Sequence, residues 1–129
     1  MNNNFYVMDV ETDGLWGKAV DVAILGKDGH VVYLGDDIYE ALRSVENDKL
    51  RILVWHQWLP MWLQKNHEGL MGKFGGRLVV FMGAAWMVTD ENSIAKITHM
   101  LTGHEHVGNA KQDALDLLDV YHHLAQLMT

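Results

Sequence analysis

At 129 residues the chain is the size of one domain, and 49% hydrophobic with 21% charged residues is a globular balance. Ten basic against 17 acidic residues leave a net charge of −7. That sign excludes a broad electrostatic coat for nucleic acid, but not an enzyme that gathers carboxylates around cations. Cysteine is absent, which excludes disulfides, thiolate metal sites and cysteine nucleophiles. The opening MNNNFYVMDVET lacks the basic segment of a signal peptide, and no stretch approaches the ~18 apolar residues of a membrane span. A single cytoplasmic domain over residues 1–129, with no membrane partner, is expected.

In chain order, residues 5–10 (FYVMDV) read as a buried strand and 19–25 (AVDVAIL) as a second. Lys27-Asp28-Gly29 suits a hairpin turn into a third strand at 30–34. Asp37 and Glu40 resemble a capping box, with Ile38, Ala41, Leu42 and Val45 at helical spacing behind them. Residues 51–55 (RILVW) form a fourth strand. Trp58, Leu59, Trp62 and Leu63 make a helical stripe, with Pro60 tolerable in its first turn. Gly69 to Gly76 reads as a loop, and 77–82 as a fifth strand. Asp90 caps a helix bearing Ile94, Ile97 and Leu101. Asn109 opens the last helix, lined on one face by Ala110, Ala114, Leu117, Leu118, Tyr121, Leu124 and Ala125. Three antiparallel strands followed by alternating α and β elements predict an α/β protein. Its mixed sheet is flanked by helices, a pattern shared with the ribonuclease H-like fold.

Asp9 and Glu11 stand at i and i+2 on the first strand, so both side chains emerge on one side. Two acids near the end of a buried strand are costly unless compensated, most simply by a divalent cation; a solvated strand end is the alternative. Asp113 lies one turn into the last helix beside the small residues Ala110 and Ala114. It is placed either to converge on the first strand or to face solvent near the helix dipole.

Asp9-Val10-Glu11-Thr12-Asp13-Gly14-Leu15 resembles the first motif, Asp-x-Glu-Thr-x-Gly-Leu, of the DEDD 3′–5′ exonuclease superfamily. Asn109-Ala110-x-x-Asp113-Ala114 resembles its third motif, His-Asn-Ala-x-x-Asp-Ala. The resemblance implies a ribonuclease H-like fold and two-metal phosphodiester hydrolysis at nucleic-acid 3′ ends, with Mg²⁺ or Mn²⁺ as cofactor. It implies that Asp9, Glu11 and Asp113 are metal ligands and catalytic residues. It further implies that Thr12, Gly14, Leu15 and Asn109 contact a single-stranded 3′ end of DNA or RNA.

Two family features are not matched. The second-motif aspartate has no counterpart in Val54-Trp55-His56-Gln57-Trp58-Leu59-Pro60-Met61-Trp62, where His56 or Gln57 could at most hold a metal-bound water. The general-base histidine falls on Gly108, leaving His104 or His106 as substitutes; His106 is the candidate base. Losing a positioned base typically costs ~10²–10⁴ in rate. An alternative therefore stands beside the enzyme: a catalytically impaired relative, of phage or mobile-element type, that binds a nucleic-acid end or a protein. Trp55, Trp58, Trp62 and Trp86 could stack on bases or anchor an interface, although the i, i+4 spacing of Trp58 and Trp62 favours core. An exposed tryptophan patch would suit a homodimer rather than a monomer. His99, His104 and His106 read more readily as loop histidines than as a zinc site, and His122-His123 suits the end of the last helix. Gly72-Lys73-Phe74 lacks the spacing of a phosphate loop, which excludes an ATPase of that kind.

Overall fold

The structure, a computed structural model, describes residues 4–83, 94, 96 and 109–127. Strict alternation in β1 (Phe5–Thr12) organises the molecule. Tyr6, Met8 and Val10 enter one apolar cluster, while Phe5 and Val7 enter another on the opposite side of the sheet. Strand β2 (Ala19–Gly26) pairs antiparallel with β1 and repeats the rule, sending Val22 and Ile24 one way and Ala23 and Leu25 the other. The expected hairpin joins β2 to β3 (Val31–Gly35). Gly29 sits in it at φ +87°, a conformation that side chains with a Cβ rarely adopt.

Strand β4 (Arg51–Val54) lies parallel to β1 on its other edge, and β5 (Leu78–Val80) is parallel to β4. The five strands run β3-β2-β1-β4-β5, a mixed sheet flanked by helices. One face is covered by α1 (Ile38–Arg43), α2 (Trp58–Asn66) and α3 (Glu68–Phe74). Asp37 caps α1 as expected, accepting from the Tyr39 N–H at 2.9 Å and the Glu40 N–H at 3.3 Å. Trp62, Leu63, Leu42 and Ala41 are fully buried here against Ile24 and Ile52. The other face is covered by a long helix, α4 (Ala110–Leu127), whose Ala110, Ala114, Leu117 and Leu118 meet Val7, Ala23, Leu25 and Leu53. The small residues Ala23, Ala110 and Ala114 bring this helix close to the strands.

The second, third and fourth strands lie within a residue of their expected bounds, and three other segments differ more from the sequence reading. β1 runs to Thr12 rather than ending at residue 10, so both of its acids belong to the sheet. β5 is shorter than the expected 77–82, although Phe81 and Met82 still donate to the carbonyls of Val54 and Trp55. The expected loop from Gly69 to Gly76 is helix α3 followed by a 3-10 turn at Gly75–Arg77. Its glycines misled: a Cβ at Gly69 or Gly72 would meet nothing within 4 Å, so they mark an exposed side. Burial of Phe74, with Leu70 and Met71 packed beside it, outweighs the ~1 kcal/mol that each helical glycine costs. Of the helix expected after Asp90, only Ile94 and Lys96 are described, both helical; Trp86, His99, His104, His106 and Gly108 lie outside the described residues. Among the described residues, no helix is long and apolar enough to cross a membrane.

Candidate metal centre

β4 pairs with β1 only at Phe5, Tyr6 and Val7. Beyond Val7, β1 continues along β2 while the chain after β4 turns away into α2. A groove of about 380 Å³ opens at that split, lined by Asp9, Val10, Glu11, Thr12, Gly14, Leu15, Trp55, His56, Trp58 and Leu59. A crevice at the carboxyl end of a central strand is where α/β sheets ordinarily bind ligands.

Asp9 and Glu11 share the α4 side of β1, and Asp113 enters from the first turn of α4. One carboxylate oxygen from each of the three lies within 4.8 Å of the others. The expected convergence of the two chain ends is therefore present. Three features place Asp113. Ala110 and Ala114 are fully buried against the sheet. Asn109 caps the helix, its Oδ1 accepting from the Gln112 N–H at 2.8 Å. Asp21, the cross-strand partner of Glu11, accepts the Ala110 N–H at 3.0 Å. Asp21 was not singled out from the sequence; its partner is 89 positions away, and no local pattern announces such a bond.

The cluster is electrostatically unfinished. Burial, then the charges of Asp113 and Glu11, push the Asp9 carboxyl up from 3.8 to about 9. Asp9 Oδ2 is buried with no hydrogen-bond partner among the described residues. A polar atom left this way costs free energy that a cation would recover. The donors are all hard carboxylate oxygens, which suit Mg²⁺ or Mn²⁺ rather than a soft metal. The residues present thus fit the ions implied by the sequence resemblance.

The rim of the groove is the turn after β1. The register slips between Glu11 and Thr12, as bulges commonly do beside functional sites. Gly14 holds φ +81°, which favours glycine, and a Cβ at Gly17 would lie 1.6 Å from the Asp13 carbonyl oxygen, so glycine is required there. Helix α2 grips this turn with three donors spaced four residues apart. The Trp58 indole donates to the Leu15 carbonyl at 3.0 Å, the Trp62 indole to Gly17 at 2.8 Å, and the Asn66 amide to Trp16 at 2.9 Å. The helical spacing of Trp58 and Trp62 predicted core, and Trp62 is fully buried. The use of their N–H groups was not foreseen. Leu15 stands 65% exposed at the rim.

Of the other expected contact residues, Thr12 and Gly14 line the groove with Leu15, whereas the Asn109 side chain serves as the helix cap. The first turn of α2 carries no acidic residue, so no fourth carboxylate comes from that position. The candidate base His106 is outside the described residues. No protein-family model, characterised protein or solved structure matches the chain.

Proposed function

We propose that this protein is a metal-dependent 3′–5′ exonuclease-like domain of ribonuclease H-like architecture, acting on a single-stranded nucleic-acid end. The observation that carries the reading is the meeting of Asp9, Glu11 and Asp113 within 4.8 Å, with Asp9 and Glu11 also lining the groove. Two elements at opposite ends of the chain supply them, in the order and on the elements that the resemblance implies. Asp9, Glu11 and Asp113 would hold the ions. Divalent cations supply activation of the attacking water and stabilisation of the departing 3′ oxygen.

The protein's own residues do the rest. The groove volume lies in the ~300–1,000 Å³ range of ligand sites. Leu15, Trp55 and Trp58 give it an apolar wall against which an unpaired base can lie. The grip of α2 on the turn fixes that wall relative to the carboxylates before substrate arrives, so little ordering is required on binding. Closure by Asp21 and Asn109 of the α4 N-terminus fixes Asp113 in the same way.

A second reading is favoured by the acid-free first turn of α2: the groove holds a strand end without efficient turnover. One experiment separates the two. A 3′-labelled single strand is incubated with the protein and Mg²⁺ or Mn²⁺; shortening that disappears in Asp113→Asn supports the enzyme. Strand binding without shortening, at high protein concentration and with either metal, leaves the binding module. Neither binding nor shortening overturns both.

A further inference from the structure

The groove contains a group that the carboxylate chemistry does not use. His56 lines it, and its ring is exposed. Its Nδ1 accepts the backbone N–H of Trp58 at 2.8 Å. A ring nitrogen that accepts from an amide carries no hydrogen, so Nε2 is the protonated nitrogen and a donor in the neutral ring. The other side-chain donors along the groove are differently placed. The Thr12 hydroxyl donates to the Gly14 carbonyl at 2.6 Å, and the Trp58 indole to Leu15. Trp55 is half-buried, packed edge-on to Phe81 and against the α4 side of the core. Among the described residues, neither lysine nor arginine lines the groove. Among the described residues that line the groove, His56 is therefore the exposed side chain with a ring N–H to offer, in the same groove as Asp9 and Glu11.

We infer that His56 is the phosphate-holding residue of the groove, donating from Nε2 to a non-bridging oxygen of the phosphodiester whose 3′ end reaches the carboxylates. The inference rests on the nucleic-acid reading above and deepens it by naming the group that takes the phosphate. A turn-capping role alone calls for only an acceptor, which asparagine or aspartate provides equally well at this i→i+2 bond. The Nε2 donor on the remaining edge of the ring is what a cap does not need.

His56→Asn and His56→Asp test this, because both keep an acceptor for the Trp58 N–H and so keep the turn. Thermal melts report whether the fold is retained. Binding of a short fluorescein-labelled oligothymidylate is followed by anisotropy with and without Mg²⁺, and shortening is followed in parallel. Loss of a hydrogen bond to a charged group is expected to weaken binding and raise KM about tenfold or more in His56→Asn, with kcat little changed. His56→Asp, which sets an anion against the phosphate, should lose more. Unchanged binding and KM in a folded His56→Asn would overturn the assignment while leaving the exonuclease reading intact. A wild-type protein that neither binds nor shortens the strand would overturn both. A fall in kcat alone, with binding preserved, would also reject a phosphate-holding role.

Discussion

The two faces of the sheet are built from the same alternating strands and put to different uses. On the face covered by α1, α2 and α3, the buried inward positions are apolar: Met8, Val10, Val22, Ile24, Ile52 and Val54 meet Leu42, Leu59, Trp62, Leu63 and Phe74. On the α4 face the same register begins apolar, at Phe5 and Val7, and turns acidic at Asp9 and Glu11, with Asp21 across from Glu11. One face is filled for stability. The other gives up part of its core to bring charges together, and keeps its helix close with alanines. The lesson is that a period-two strand can carry both tasks at once, provided the acids lie beyond the last residue paired with β4.

The sharpest way to break this division is at Trp62. Trp62→Ala removes a fully buried indole and its bond to the Gly17 carbonyl, and should cost ~3–5 kcal/mol in denaturant unfolding. Nothing comparable is expected on the acidic face. There, Asp113→Asn should leave the melting temperature in chelator unchanged or raised. It should cut metal-dependent strand shortening by at least ~100-fold, beyond the ~10–100-fold typical of residues behind a metal ligand. A melt in which Asp113→Asn is as damaging as Trp62→Ala would erase the distinction.

Protons probe the same difference more gently. Asp9 is raised to about 9 in the fold against 3.8 as its ordinary value. Its contribution to stability is fully present below pH ~4, where folded and unfolded chains both bind the proton. It is lost progressively as the pH climbs towards 9, because the unfolded chain ionises first. Metal-free protein should therefore melt at lower temperature at pH 8 than at pH 5, and Asp9→Asn should flatten that slope. Mg²⁺ or Mn²⁺ at ~100 times its dissociation constant should add ~2.7 kcal/mol to the wild type at pH 8 and little to Asp9→Asn. The smallest effect is expected at Asp21. Asp21→Ala should cost ~1 kcal/mol, the scale of a lost helix cap, while weakening the metal-induced rise in melting temperature.

Alternation in β1 and β2, the Lys27-Asp28-Gly29 turn and the stripe of α4 made most of the sheet and its covering helices legible, because each is a short-range pattern that burial then rewards. Helix α3 was not legible, since Gly69 and Gly72 disguise a segment whose apolar residues fold only against a core that is already there. The placement of Asp9 and Glu11 on one side followed from the strand period alone. Their meeting with Asp113 did not; spacing left it open, and only the likeness of two motifs pointed to it. Asp21 and the three α2 donors remained hidden for the same reason, as bonds between segments 43 to 89 positions apart leave no local mark.

The turn at the groove rim has one further consequence. Its carbonyls from Gly14 to Gly17 are all engaged. Gly14 accepts from the Thr12 hydroxyl and the Gly17 N–H, Leu15 from Trp58, Trp16 from Asn66, and Gly17 from both Trp62 and Asn66. A ribose 2′-hydroxyl is read by groups still able to accept or donate, and this stretch of main chain has few lone pairs left to offer. For the strand end proposed here, the rim main chain offers a sugar hydroxyl few acceptors, chiefly the second lone pairs of the Leu15 and Trp16 carbonyls. A strong preference for RNA over DNA would then draw on groups beyond these carbonyls.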